Sequence, residues 1–128
     1  MTKILAFVNV QNQGKEESML NQTVLVGRLT KDPEIVITDN KKKVLSITLA
    51  VQRSFKNPDG VYETDFIRCV LWNIVAEKTC EYCKCGDVVG IKGRIQTSTY
   101  QDEDGNTKYS TEVVAEKVTF LSSKKDGE

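Results

Sequence analysis

Three long stretches of the chain alternate apolar and polar residues with a period of two, the mark of half-buried strands rather than helices. In VLSITLAVQ (44–52), Leu45, Ile47, Leu49 and Val51 fall on one side, and Ser46, Thr48, Ala50 and Gln52 on the other. In FIRCVLW (66–72), Ile67, Cys69 and Leu71 face away from Phe66, Arg68, Val70 and Trp72. DVVGIKGRIQTSTYQ (87–101) sets Val89, Ile91 and Ile95 against Lys92, Arg94, Gln96, Ser98 and Tyr100. Around these, TVLVGRL (23–29) reads as a strand whose central glycine implies a bend or a close backbone approach, and EIVI (34–37) as a short strand. NPDG (57–60) and DEDGN (102–106) are turns, and KYSTEVVAEKVTFL (108–121) completes a second hairpin. Asn73 is placed to cap a helix over 74–84 that stops before Gly86. A helix between the third and fourth long strands, with Gly90 and Gly93 inside a strand, predicts a mainly all-β chain. The architecture expected is a five-stranded Greek-key barrel with long β-hairpins, rather than a sandwich.

Composition narrows the setting. The 128 residues suit one domain, with 1–18 as an extension or linker, 19–121 as the folded unit and 122–128 as a disordered end. Eighteen basic and eighteen acidic residues leave no net charge, so any anion-binding surface must be local. No apolar run reaches the length of a membrane span, and MTKILAFVNV has no small-residue cleavage site. Cysteines at 69, 80, 83 and 85 form no even framework, which points to a reducing interior and a cytoplasmic protein.

Candidate chemistry lies on the hairpins. Residues 54–72 hold Phe55, Tyr62, Phe66 and Trp72, four of the nine aromatics, with Lys56 and Arg68 between them. Core rings have aliphatic neighbours on their own face, and a buried Arg68 would need a partner. The second hairpin repeats the pattern, with one apolar side and one side mixing base and ring. That pairing suits sequence-independent binding of a single strand: cations follow the phosphates, and unpaired bases stack on flat rings. The competing reading packs each ring on a loop or subunit and leaves each base solvated. Agreement between two hairpins favours binding. Candidates for the phosphate track are Arg28, Arg53, Lys56, Arg68, Lys92, Arg94 and Lys108.

Cys80-x-x-Cys83-x-Cys85 with Cys69 could offer four thiolates to zinc, or a redox pair. Two of them fall on the predicted helix and one points into the barrel, so they are expected to be small apolar residues, with no metal and no cofactor. The chain has no histidine, which excludes histidine-based acid–base or nucleophilic chemistry, and its carboxylates cluster in turns and the linker. An enzyme is not expected.

MLNQTVLVGRLTKDPE, ITLAVQRSF, DFIRCVLWN, AEKTCEYCKCGDVVGIKGRIQT and TEVVAEKVTFL together closely resemble bacterial single-stranded DNA-binding proteins, from Met19 to about Leu121. The resemblance implies an OB-fold protomer, a homotetramer with DNA wrapped on its outside, and roles in replication, recombination and repair. It also implies base stacking on Phe55, Phe66, Trp72 and Tyr100. Three departures stand out. The chain ends at KKDGE without the acidic tip that recruits replication and repair proteins, so that recruitment is not expected. Eighteen residues precede Met19, and Ile67 stands where some relatives carry histidine near a subunit interface. An OB-fold protein-interaction module, such as a primosome accessory factor, is the alternative, and retention of all four stacking positions argues against it.

Overall fold

The computed structural model describes residues 18–123; the expectations for the N-terminal extension and the final residues fall outside these. Its elements are β1 (Thr23–Leu29), β2 (Val36–Ile37), β3 (Lys43–Lys56), β4 (Tyr62–Trp72), α1 (Asn73–Tyr82), β5 (Val88–Gln101) and β6 (Thr107–Ser122). Strands pair in the order β1-β5-β6-β4-β3-β2, and a further pairing of β1 with β3 closes β1, β3, β4, β5 and β6 into a barrel. All pairs are antiparallel except β4 with β6. This is the five-stranded barrel that the alternation predicts, and the OB-fold that the resemblance implies, with β2 as an outlying edge.

The registers keep one parity around the barrel. Leu29 faces Leu49, Leu49 faces Ile67, Ile47 faces Cys69, Cys69 lies beside Val113, and Leu25 faces Ile91. Odd-numbered residues therefore point inward, except beyond the β6 bulge, where Val118 packs on the core opposite Ile91, and Leu45, Leu49, Cys69, Leu71 and Val89 are fully buried. Each such aliphatic side chain contributes roughly 1.5–3 kcal/mol on burial. Two glycines let the strands close. A Cβ on Gly93 would stand 2.1 Å from the Val114 carbonyl oxygen, and one on Gly27 would stand 2.5 Å from that of Ala50. Just past Gly93, β6 carries an extra residue, since Lys92 faces Lys117 while Gly93 faces Ala115. Such a bulge sharpens the local twist and helps the sheet curl.

Five details differ from expectation. EIVI forms a strand over Val36–Ile37 alone. Asn73 does not cap the helix: it has φ +53, and its Oδ1 instead accepts a hydrogen bond from the Lys43 amide at 3.3 Å. The extended N-cap residue is Trp72, with no side-chain cap, and α1 ends at Tyr82 rather than 84. Val70, on the outer side by parity, is only 6 % exposed, because the parallel seam sets it beside Val114 and the two shield each other. Ile95 keeps its inward parity but is half exposed, because β5 has left the barrel there. Its backbone N–H and C=O are instead held by the Asn21 side chain, which extends the β1 ladder. Among the described residues, no helix is long and apolar enough to cross a membrane.

Candidate nucleic-acid interface

Beyond the barrel, β3–β4 and β5–β6 continue as two arms, and the even-numbered face runs without a break from one to the other. On β4 it carries Phe66, Arg68, Val70 and Trp72, opposite Ala50, Thr48, Ser46 and Val44 of β3. The seam joins Val70 to Val114, Val114 faces Arg94, and Gln96, Ser98 and Tyr100 face Glu112, Ser110 and Lys108. Lys92 extends the face toward β1, where Arg28 lies opposite both Ala50 and Val88. The fold thus brings Arg28, Phe66, Arg68, Trp72, Lys92, Arg94, Tyr100 and Lys108 onto one outer surface.

Burial separates ring from core. All eight aromatics among the described residues are exposed, from 40 % at Trp72 to 79 % at Tyr109, and the apolar core is built of aliphatic residues and cysteine. Rings normally supply much of a small domain's packing. None of Phe55, Phe66, Trp72 and Tyr100 packs into the core of the protomer. Tyr62, left out of the sequence-based site, belongs to the same face; it pairs with Lys56, whose ammonium stands 5.6 Å from the ring centroid. Its parity with Phe66 was the available signal.

The cations on this face hold their carboxylates loosely. Arg68 Nε is 3.7 Å from Glu112, Arg94 Nε is 3.8 Å from Glu116, and Lys108 Nζ is 3.8 Å from Asp102. Arg68 and Arg94 also donate to Ser46 Oγ and Gln96 Oε1. Exposed pairs of this kind are worth ~0–1 kcal/mol, so a phosphate can replace the carboxylate at little cost. Lys92 has no partner among the described residues. Arg28 donates to the Gly86 carbonyl at 2.7 Å, which anchors its guanidinium at the barrel end of the face.

Arg53 and Phe55 sit differently. Between Gln52 and Lys56 the β3–β4 ladder is irregular: three residues of β3 lie opposite one of β4. Arg53 there shares the odd-numbered side with Asp65 and Glu63. Its Nη2 and Nε donate to the Asp65 carboxylate at 2.9 and 3.1 Å, and Nη1 donates to Glu63 Oε1 at 2.9 Å. Glu63 in turn accepts from Asn57 Nδ2, and Asn57 Oδ1 accepts from the amides of Asp59 and Val61 in the turn. The hydrogen bond from Arg53 holds the Asp65 carboxyl below its ordinary range, and its partner Asp65 raises Arg53 further. This guanidinium is committed to the arm.

Of the cysteines, Cys69 is enclosed in the barrel, where burial pushes its thiol up to about 11. Cys80 lies on α1 with Sγ 3.4 Å from the Pro33 carbonyl, and Cys83 is buried just past the helix. No group of three or more metal-ligating side chains comes together among the described residues.

Comparison with known proteins agrees with the geometry. The chain is 50 % identical over 106 residues to single-stranded DNA-binding protein B of Bacillus subtilis, covering 83 % of this chain and 94 % of that protein. It is 50 % identical over 109 residues to single-stranded DNA-binding protein 3 of Listeria innocua, covering 85 % of this chain and 68 % of the relative. Against single-stranded DNA-binding protein A of Bacillus subtilis the identity is 49 % over 109 residues, covering 85 % and 63 %. The profile of the Single-strand binding protein family matches residues 20–121, which span the whole barrel and both arms, and the chain belongs to that family.

Proposed function

We infer that this protein binds single-stranded DNA with little regard to sequence and shields it during replication, recombination and repair. The observation that carries this is the exclusion of every described aromatic from the core, with cations set between the rings on one outer face. Phe66, Trp72 and Tyr100 are its stacking platforms, Phe55 joins them from the far side of the first arm, and Arg28, Lys56, Arg68, Lys92, Arg94 and Lys108 follow the phosphates. Arg53 is set apart from that track by its two carboxylates. No catalytic step and no cofactor enters this function.

The protein acts as an assembly, a tetramer of dihedral symmetry. Val24 and Val26, exposed at 69 and 53 % on the outer face of β1, support a contact between copies. Sedimentation at micromolar concentration should give the tetramer, and a monomer would remove this part of the reading.

The decisive experiment is titration of the intrinsic fluorescence of Trp72, the one tryptophan, with poly-dT at several salt concentrations. Quenching is expected, and log affinity should fall linearly with log salt by about 0.7 per phosphate neutralised. A flat salt response, or equal affinity for duplex, would overturn the reading.

A further inference from the structure

α1 ends in a pair of thiols that single-strand binding does not use. Cys80 stands in its last turn, and Cys83 closes that turn, its amide donating to the Thr79 carbonyl at 2.9 Å. That bond keeps the helical spacing as far as Cys83, so the two Cα atoms stand about 5 Å apart on one side of the helix. A disulfide spans Cα separations of ~4.4–6.8 Å, which puts the pair within reach. Cβ atoms at this helical spacing lie ~5–6 Å apart, against ~3.5–4.5 Å across a disulfide, so closure needs a shift of about 1–2 Å. Cys83, already extended at φ −122 and ψ 153, is the end that can make it. Burial ranks the two thiols. Cys80 is part-exposed, whereas Cys83 is 8 % exposed, and burial followed by the charge of Asp87 raises its thiol. An accessible thiol with a covered one three residues on suits stepwise thiol–disulfide exchange, in which the first attacks and the second resolves.

What the pair touches gives closure a consequence. Cys80 Sγ donates to the Pro33 carbonyl at 3.4 Å, and the Cys85 amide donates to Asp32 Oδ1 at 2.8 Å. The Gly86 amide donates to the Leu29 carbonyl at 2.9 Å, and the Gly86 carbonyl holds Arg28 at 2.7 Å. The segment after α1 thus fastens both the β1–β2 loop and the guanidinium at the barrel end of the outer face. We propose that Cys80 and Cys83 are a reversible disulfide site, and that closing it loosens the turn over 84–87 that seats Arg28. The co-reactant is a small disulfide such as oxidised glutathione. The Cys80 thiolate attacks one of its sulfurs and releases the first glutathione thiol. Cys83 then attacks the Cys80 sulfur of the mixed disulfide and releases the second. The two cysteine protons leave on the two glutathione thiols, so the protein is oxidised by two electrons and the glutathione disulfide is reduced by two. Cys80 Sγ gives up Pro33, and the Cys83 amide gives up Thr79. The consequence for binding rests on Arg28 following the phosphates: a guanidinium without its anchor loses more freedom when it meets one.

The test treats the full chain with oxidised glutathione, alkylates the thiols that remain, and maps the tryptic peptides by mass. Cleavage after Lys78 and Lys84 leaves Cys80 and Cys83 together in TCEYCK (79–84) and Cys85 in the next peptide. TCEYCK should be lighter by two hydrogens, resist alkylation, and regain both thiols with dithiothreitol. Cys83→Ser should trap the mixed disulfide on Cys80, and Cys80→Ser should leave Cys83 free. In the oxidised protein the amides of Cys83, Cys85 and Gly86 should exchange hydrogen about ten-fold faster or more. Poly-dT binding should weaken about two- to three-fold on oxidation and stay level on oxidation of Arg28→Gln. Thiols of TCEYCK that stay free, or glutathione carried on Cys85 alone, would overturn the site. A disulfide that leaves amide exchange or affinity unchanged would overturn its link to Arg28. Single-strand binding is reported separately by the reduced protein, so its failure is not mistaken for either.

Discussion

The two arms carry similar residues on similar lengths of strand, yet they are held together by different means. In the second arm the β5–β6 ladder runs unbroken from Gly93 opposite Ala115, through Ser98 opposite Ser110, to Gln101 opposite Thr107. Backbone hydrogen bonds run its whole length, and side chains enter mainly at its tip, where Asp102 accepts from the Asp104 and Asn106 amides and pairs loosely with Lys108. In the first arm the ladder fails between Gln52 and Lys56, and side chains take over through Arg53, Asp65, Glu63 and Asn57. A backbone ladder ignores charge and is rigid from its base. An ionic network tolerates irregular backbone and depends on pH. The first arm is therefore the tunable one, and the second sets the frame.

The largest effect should come at the base of the second arm. Gly93→Val would drive a side chain into the Val114 carbonyl, which cannot move without parting β5 from β6. A loss of more than ~3 kcal/mol of stability is expected, visible in urea melts, since overpacking at a backbone contact exceeds the usual 1–3. Gly105→Ala, at the tip of the same arm with open space around it, should cost only about 1–2 kcal/mol for its φ of +82. Equal costs at the two positions would mean that the close approach at Gly93 is not what shapes the arm.

Next come the rings. Phe66→Ala and Tyr100→Ala, one from each arm, should each remove roughly 1–3 kcal/mol of single-strand binding and leave melting nearly unchanged. Phe66→Trp should preserve binding, because only a flat face is required. Ile67→Ala, one residue away on the inward side, should reverse the pattern and damage stability first. Aromatic variants that melt early while the folded fraction binds normally would return these rings to packing.

A smaller difference separates the cations. Lys92→Gln should shallow the slope of log affinity against log salt by about 0.7. Arg53→Gln should leave that slope nearly unaltered, since the guanidinium is tied to two carboxylates on the other side of its arm. Matching changes in slope would show that the network exchanges its carboxylates for phosphate.

The smallest effect concerns acid. The Asp65 carboxyl is held down in the folded state, so its support of the arm is complete above its unfolded value and fades as pH falls through the folded one. Below about pH 4, the first arm's amides should lose protection against hydrogen exchange before the second arm's do. Asp65→Asn should show the same looseness at neutral pH, and simultaneous loss in both arms would erase the distinction.

Period-two spacing was enough to assign nearly every inward and outward position, because a strand alternates its faces whatever it packs against. Leu45, Ile47, Leu49, Cys69, Leu71, Val89 and Ile91 could be named as core, and Phe66, Arg68, Trp72 and Tyr100 as surface, without coordinates. Failures came where a neighbour distant in sequence decided the outcome. Val70 is covered by Val114, Ile95 is uncovered where the barrel ends, and the Asn73 side chain is claimed by Lys43.

What the residues determined by themselves was a barrel with rings and cations left on its outside: alternation is local, and a stacking ring needs no partner to be recognisable. Tertiary structure decided which cations are available. Arg53 reads like Arg68 along the chain, and only pairing across an irregular ladder commits it to Asp65 and Glu63 while Arg68 stays on the open face. The same holds beside Trp72, where Thr38, Lys42 and Asn73 meet although the loop precedes Trp72 by thirty positions or more. Charge and hydrogen-bonding capacity are properties of one side chain, but whether they remain free is a property of whatever the fold sets within about 3 Å of it.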